Sequence, residues 1–287
     1  MISIIICSRK ADISQELKDN IAATIGCEYE LCVIDNSRNE YNIFTAYNEG
    51  VRRAKGDILC FMHEDILFHS ENWGSEVAEL FDKHEDAGLI GVVGGQFIPD
   101  TPSSYWEGGA TIGQIIQGDL DVKGNYVSKL SGNAPTNMFE EVAAVDGLFM
   151  CIPKKLFESN KLRWDEDTFH GFHCYDMDIC YQVVKNNLKV IIPQNILIEH
   201  FSPGNTDDVY CNQSQILYDK WQDFLPIIRG REMSEVEINE RTQMAGYIRG
   251  NLLLANKVYN QYEQIRSSKA YRLGKALLKP FKWFKRK

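Results

Sequence analysis

The chain has 287 residues, enough for one large α/β domain with an appendage or for two modest domains. Its hydrophobic fraction of 44% and charged fraction of 25% are those of an ordinary globular protein, and no apolar run approaches the length of a membrane span. A net charge of −9 argues against nucleic acid as the main partner, although residues 266–287 hold nine basic side chains and no acidic one.

Residues 2–7 are continuously apolar and rich in Ile, as in a strand buried on both faces of a parallel sheet. The run meets Arg9 and Lys10 too soon for a signal-peptide core. Ile13, Leu17, Ile21 and Ile25, four residues apart, predict a helix over 12–25 with Asp12 as its N-cap. A strand at 30–34 ends at Asp35-Asn36-Ser37, a helix follows at 43–54, and Gly56-Asp57 turns the chain into a strand at 58–62. This rhythm implies βαβ units with right-handed crossovers. A helix at 73–83 and a strand at 88–94 come next. The stretch 99–137 reads as a long irregular insertion, a length that is uncommon without a function. Residues 142–153 are apolar apart from Asp146-Gly147. A helix at 176–187, a strand at 189–192 and the run Ile196-Leu197-Ile198 lead to Glu199-His200. Residues 205–265 read as helical with no strand signal, and 266–287 as a basic amphipathic tail. There is no Gly-rich phosphate loop and no dinucleotide fingerprint. The eight cysteines include no CxxC pair, which gives zinc little support and suits a reducing compartment.

The polar residues at strand ends carry the chemistry. In a parallel sheet the carboxyl ends of the strands line one edge, where α/β folds bind ligands. Ser8-Arg9, Asp35, His63-Glu64-Asp65 and His200 all fall at such ends, and Asp176 and Asp178 open a late helix. Asp65 could hold a divalent cation, and through it a phosphate, or could belong to a solvated acidic turn. Asp176 reads equally as a helix-start acid. Asp35 reads as a turn residue, and Asp146-Gly147 as a tight turn or a close approach to a ligand.

In order along residues 1–204, these motifs resemble those of the family 2 glycosyltransferases of the GT-A fold. Ile4-Ile5-Ile6-Cys7-Ser8 is similar to the family's opening strand and nucleotide-contacting loop. Leu31-Cys32-Val33-Ile34-Asp35-Asn36-Ser37 is similar to its second strand, and Ala46-Tyr47-Asn48-Glu49-Gly50 to the helix before its metal motif. Phe61-Met62-His63-Glu64-Asp65 falls at the aspartate-any-aspartate motif, with His63 replacing the first Asp. Asp176-Met177-Asp178 matches the acceptor-side acidic motif, and Asn195 to His200 the strand ending in a metal-side histidine. The resemblance implies an α/β chain built on a Rossmann-like, mostly parallel sheet flanked by helices. Residues 1–204 would form the catalytic domain, 205–265 a helical extension and 266–287 the tail. It implies transfer of a sugar, with inversion, from a nucleotide-diphosphate donor, a UDP-sugar first, to a glycan or lipid-linked acceptor. It assigns the base to Asp176 and the nucleotide-sugar contacts to Ser8, Arg9, Asp35, Asn48, Glu64 and Asp146. Mn²⁺ or Mg²⁺ would sit on Asp65 and His200, with His63 either touching the ion or buttressing Asp65.

Two other classes compete. One is a non-catalytic nucleotide-sugar-binding scaffold, which the His63 replacement favours. The other is a sugar nucleotidyltransferase, which the lack of glycine in Ile6-Cys7-Ser8-Arg9-Lys10 disfavours. On a helical projection, Ala270, Leu273, Leu277, Phe281 and Phe284 oppose Arg272, Lys275, Lys279, Lys282 and Arg286, with Pro280 as a break. A basic amphipathic tail carrying Trp283 suggests an anionic membrane surface, and hence a cytoplasmic protein peripheral to the membrane.

Overall fold

The computed structural model describes residues 1–202 and 204–278. Its centre is a seven-stranded sheet in the spatial order Phe139–Val142, Lys189–Pro193, Ala87–Ile90, Phe149–Pro153, Ile58–Met62, Ile2–Ser8, Tyr29–Asp35. Five of these strands share one direction, while Phe149–Pro153 and Phe139–Val142 run against their neighbours. The sheet is therefore mixed. The expected burial on both faces holds: Ile4, Ile6, Cys60 and Met62 pack on one side against Leu17, Ile21, Trp73 and Val77, whereas Ile5, Leu59 and Phe61 pack on the other against Phe44, Tyr47 and Tyr175. Both faces are dry, which is why the strands read as unbroken apolar runs.

A second sheet, in the order Ala144–Val145, Val93–Gly95, Thr111–Leu120, Ile198–His200, Ile66–Phe68, leans on the first. The expected single strand at 88–94 is divided between the two sheets at Gly91-Val92. The expected irregular insertion is instead built around a long hairpin, Thr111–Leu120 with Tyr126–Asn133. Every residue of its outer strand is exposed, so neither face leaves an apolar alternation to read.

The predicted helices form close to the expected places. Gln15–Thr24 is capped by Ser14, whose hydroxyl accepts from Leu17 N at 3.1 Å, rather than by Asp12, which bonds Ile13 N and Lys18. Ile43–Arg53, Trp73–Lys83 and Tyr175–Lys185 follow. After residue 205 come the helices Asp208–Trp221, Glu235–Ser267 and Lys269–Leu278. Between them Ile227–Ile228 forms a short strand with Phe97–Ile98, too brief to carry a periodic signal. Residues 279–287, with Lys279, Pro280, Phe281, Lys282, Trp283, Phe284 and Arg286 of the predicted tail, lie outside the described residues. Among the described residues no helix is long and apolar enough to cross a membrane.

Asp165 and Asp178 have a structural task. Both are buried, and Lys220 Nζ reaches each at 2.6 Å. Arg163 and Thr168 complete Asp165, while Trp221 Nε1 and Gln182 complete Asp178. Asp178 thus ties its helix to side chains of Asp208–Trp221 rather than capping its own start. Lys220→Met leaves two buried carboxylates without their shared cation, and a loss of ~3–5 kcal/mol in urea unfolding is expected. Adding Asp178→Asn should recover part of it, whereas an unchanged midpoint for Lys220→Met would mean the clamp carries no load.

Candidate active site

Sheet register assembles the site. His63 leaves the end of Ile58–Met62 and its N–H donates to Leu148 O at 3.0 Å. Three residues later the chain enters the second sheet at Ile66, which lies opposite His200 in antiparallel pairing, and Phe201 N donates to Asp65 O at 3.0 Å. His200, distant in sequence, is thereby set beside Asp65.

The chain bends at Glu64 and Asp65 between the two strands, and it sets His63 and Asp65 on the side of His200 and Glu64 towards Ser8 and Arg9. His200 Nε2 is 3.5 Å from His63 Nδ1 and 3.7 Å from Asp65 Oδ1, and His63 Nδ1 is 3.9 Å from Asp65 Oδ1. One donor atom from each residue falls within 4.8 Å of the others, so the three can hold a metal ion together. Ser202 Oγ donates to the second Asp65 oxygen at 2.6 Å. Burial raises the Asp65 pKa, but Ser202 and the two imidazoles outweigh it and keep the carboxyl below its ordinary value. Desolvation lowers the pKa of His63, which favours the neutral ring that a metal requires. Its Nε2 is 2.7 Å from the hydroxyl of buried Tyr175, leaving Nδ1 facing Asp65 and His200.

Glu64 accepts from Ser8 Oγ at 2.6 Å, from Arg9 N at 3.1 Å and from Arg9 Nε at 3.0 Å. Three of the predicted residues are thus bound to one another. Asp35 stands at the adjacent strand end, level with Ser8, but is exposed and bonds Ser37 N at 2.9 Å. Asn48 stands apart: its amide donates to Trp164 O at 2.9 Å and to Glu166 at 2.8 Å, anchoring a loop. The spacing that aligned it with the other motifs placed it on the right helix, but its amide is already engaged.

Asp176 lies in the first turn of Tyr175–Lys185, where Oδ1 accepts from Met177 N at 2.8 Å and Oδ2 from Gly147 N at 3.2 Å. Desolvation, then the charge of Asp146, push its pKa up to about 7, against the two amide hydrogen bonds. A helix start alone would have lowered it. Asp146 accepts from Tyr105 Oη at 2.8 Å and from Leu148 N at 3.0 Å. A Cβ on Gly147 would stand 2.2 Å from Tyr175 Oη, so the glycine makes room for that tyrosine.

Two adjoining clefts, of about 980 and 880 Å³ including the solvent at their mouths, meet at His63, Phe172, Tyr175 and Ser202. The larger opens onto Cys7, Arg9, Asn36, Glu64 and Asp65, the smaller onto Tyr105, Trp106, Asp146, Asp176 and His200. Sequence reasoning missed Ser202, Phe172 and the Tyr175–His63 bond. Ser202 lies two residues beyond His200, the only hint available; the rest depends on loop packing.

Residues 3–219 match the family described as "Glycosyltransferase like family". The chain belongs to that glycosyltransferase-like family. The crystal structure of GalNAc-T7 with UDP, GalNAc and Mn²⁺ is similar at 11% identity and a TM-score of 0.50, over 78% of this chain and 50% of that one. That of S. aureus TarS 1-349 is similar at 12% identity and 0.52, over 85% and 70%. At such identities the likeness is one of fold, and it supports the GT-A architecture implied by the motifs. The chain spans half the length of the GalNAc-T7 chain. No curated protein matches it in sequence.

Proposed function

We propose that this chain transfers a sugar from a nucleoside-diphosphate donor, a UDP-sugar first, to a hydroxyl of a glycan or lipid-linked acceptor on the cytoplasmic side, with inversion. The observation that carries this reading is a carboxyl held near neutrality, Asp176, in a cleft that opens directly onto a His–Asp–His cluster. His63, Asp65 and His200 would hold a divalent cation. Two imidazoles and one carboxylate suit Mn²⁺ better than Mg²⁺, which prefers oxygen throughout. Such an ion neutralises charge building on the leaving diphosphate.

The chain's own residues do the rest. The larger cleft, at the carboxyl ends of the strands, receives the nucleotide, with the Glu64-held Arg9 guanidinium at its wall. The smaller receives the acceptor. Asp176 takes the proton from the acceptor hydroxyl as its oxygen bonds the anomeric carbon and the bond to the diphosphate breaks. Asp146, fixed by Tyr105, keeps Asp176 basic enough to act. A single base facing one side of the donor implies that the anomeric configuration inverts.

The test is nucleoside-diphosphate release from UDP-, GDP-, dTDP- and CDP-sugars with Mn²⁺ and glycan or lipid-linked acceptors. Release from one donor class, stopped by EDTA, is expected. Binding of nucleotide without release from any donor would replace the transferase by a nucleotide-sugar-binding scaffold, and a product that retains the donor configuration would refute inversion.

A further inference from the structure

Among the described residues, the 33-residue helix Glu235–Ser267 is fastened to the protein along one face only. Ala245 and Arg249 are its buried residues. The Arg249 guanidinium reaches Ser214 Oγ and Cys211 O, Asn256 donates to Thr206 O at 3.0 Å, Asn260 to Asp208, and Arg241 to Gly108 O at 3.1 Å. At 100° per residue the opposite face carries Met244, Tyr247, Leu254, Val258, Tyr262 and Ile265, spaced by three, four or seven. All six are between 53% and 69% exposed. Leaving so long an apolar stripe in water is unusual for a face without a partner.

Charge says which partner. From residue 242 to 287 there are eleven basic residues and one acidic residue, Glu263, whereas residues 1–241 hold 20 basic and 39 acidic residues. The stripe, which itself holds only Arg249 and Lys257 against Glu263, therefore leads into the one strongly cationic stretch, residues 266–287, of an otherwise anionic chain. It runs on into Lys269–Leu278, where Tyr271 and Leu273 are exposed beside Lys269, Arg272 and Lys275. A second copy laid on the stripe in register would set two cationic segments side by side. An anionic bilayer surface satisfies both properties at once: its headgroups meet the Lys and Arg side chains, and the boundary of its acyl chains takes the apolar stripe and the tyrosines.

We propose that the exposed face of Glu235–Ser267, continued by Lys269–Leu278, is a docking surface for an anionic lipid bilayer, lying along it rather than crossing it. The assay is co-sedimentation of the whole chain with vesicles of phosphatidylcholine alone or mixed with phosphatidylglycerol, at low and high salt. Binding to the anionic vesicles, weakened by salt and at least tenfold weaker on neutral ones, is expected. Leu254→Glu with Val258→Glu changes only exposed positions, so the fold is retained, and should abolish sedimentation. Replacing Lys269, Arg272 and Lys275 with Gln should weaken it on the order of a hundredfold, since each charge near the surface contributes about fivefold. No sedimentation with anionic vesicles, or binding indifferent to both sets of substitutions, overturns the proposal. So does a dimer in solution that the Leu254/Val258 substitutions split, which would make a second copy the occupant. The assay reads binding without turnover, so its outcome is independent of the donor assay.

Discussion

Asp176→Asn is expected to lower turnover by about 10²–10⁴-fold while leaving donor binding in place, because the proposed base lies in the smaller cleft and the proposed nucleotide site in the larger. In the wild type, activity should climb with pH through about 7, where the carboxyl loses its proton. The same group makes a prediction about stability. Its pKa in the folded chain is raised from an ordinary 3.8 to about 7. The folded state therefore binds its proton more tightly than the unfolded chain does. The resulting stabilisation is whole below pH 3.8 and is lost as the pH rises to about 7. The upper figure for this loss is ~4 kcal/mol, which the carboxyl's access to water at the cleft mouth reduces to a few. Without nucleotide or metal, Asp176→Asn should thus be more stable than the wild type at pH 8, and the gap should narrow towards pH 4. Urea denaturation of both proteins across that range decides it. A variant that is less stable at every pH, with no trend, would show that the carboxyl is not held neutral by its surroundings.

Asp65→Ala is expected to remove the coupling between metal and nucleotide. Asp65 is the only carboxylate of the cluster and lies within 4 Å of both imidazoles. With Mn²⁺ present, a nucleoside diphosphate at ~100 times its dissociation constant should stabilise the wild type by ~2.7 kcal/mol. Asp65→Ala and His200→Ala should fall to the level seen with EDTA. Ser202→Ala should keep part of the effect, since it removes a hydrogen bond to Asp65 and not a ligand. A thermal-shift panel of UDP, GDP, dTDP and CDP, each with Mn²⁺, Mg²⁺ or EDTA, reads all of this. Undiminished metal-dependent stabilisation of Asp65→Ala would place the ion elsewhere.

Much of the central sheet was legible because its strands are buried on both sides: Ile2–Ser8 and Ile58–Met62 could be read from apolarity alone. The second sheet was not. Ile66–Phe68, Val93–Gly95 and Ile198–His200 have three residues each, too few for a period to declare itself, and the hairpin strand Tyr126–Asn133 has no buried face. Yet that sheet brings His200 to Asp65. The pairing was reached from the motifs by resemblance, and the register of Ile66 against His200 supplies its physical reason. Asn48 shows the opposite case: it lies on the expected helix, while its side chain is engaged in holding Glu166 and Trp164. The Tyr175–His63 bond joins residues 112 apart in sequence and left no trace in any local pattern.

Met62 ends a strand of one sheet and Ile66 begins a strand of the other, and the three residues between them divide: His63 and Asp65 towards His200, Glu64 towards Ser8 and Arg9. The bridge is therefore fixed in length. Inserting or deleting one residue would shift Ile66 off its place opposite His200 and so part Asp65 from that imidazole. Side chains at these three positions can be traded one at a time, but the number of positions cannot.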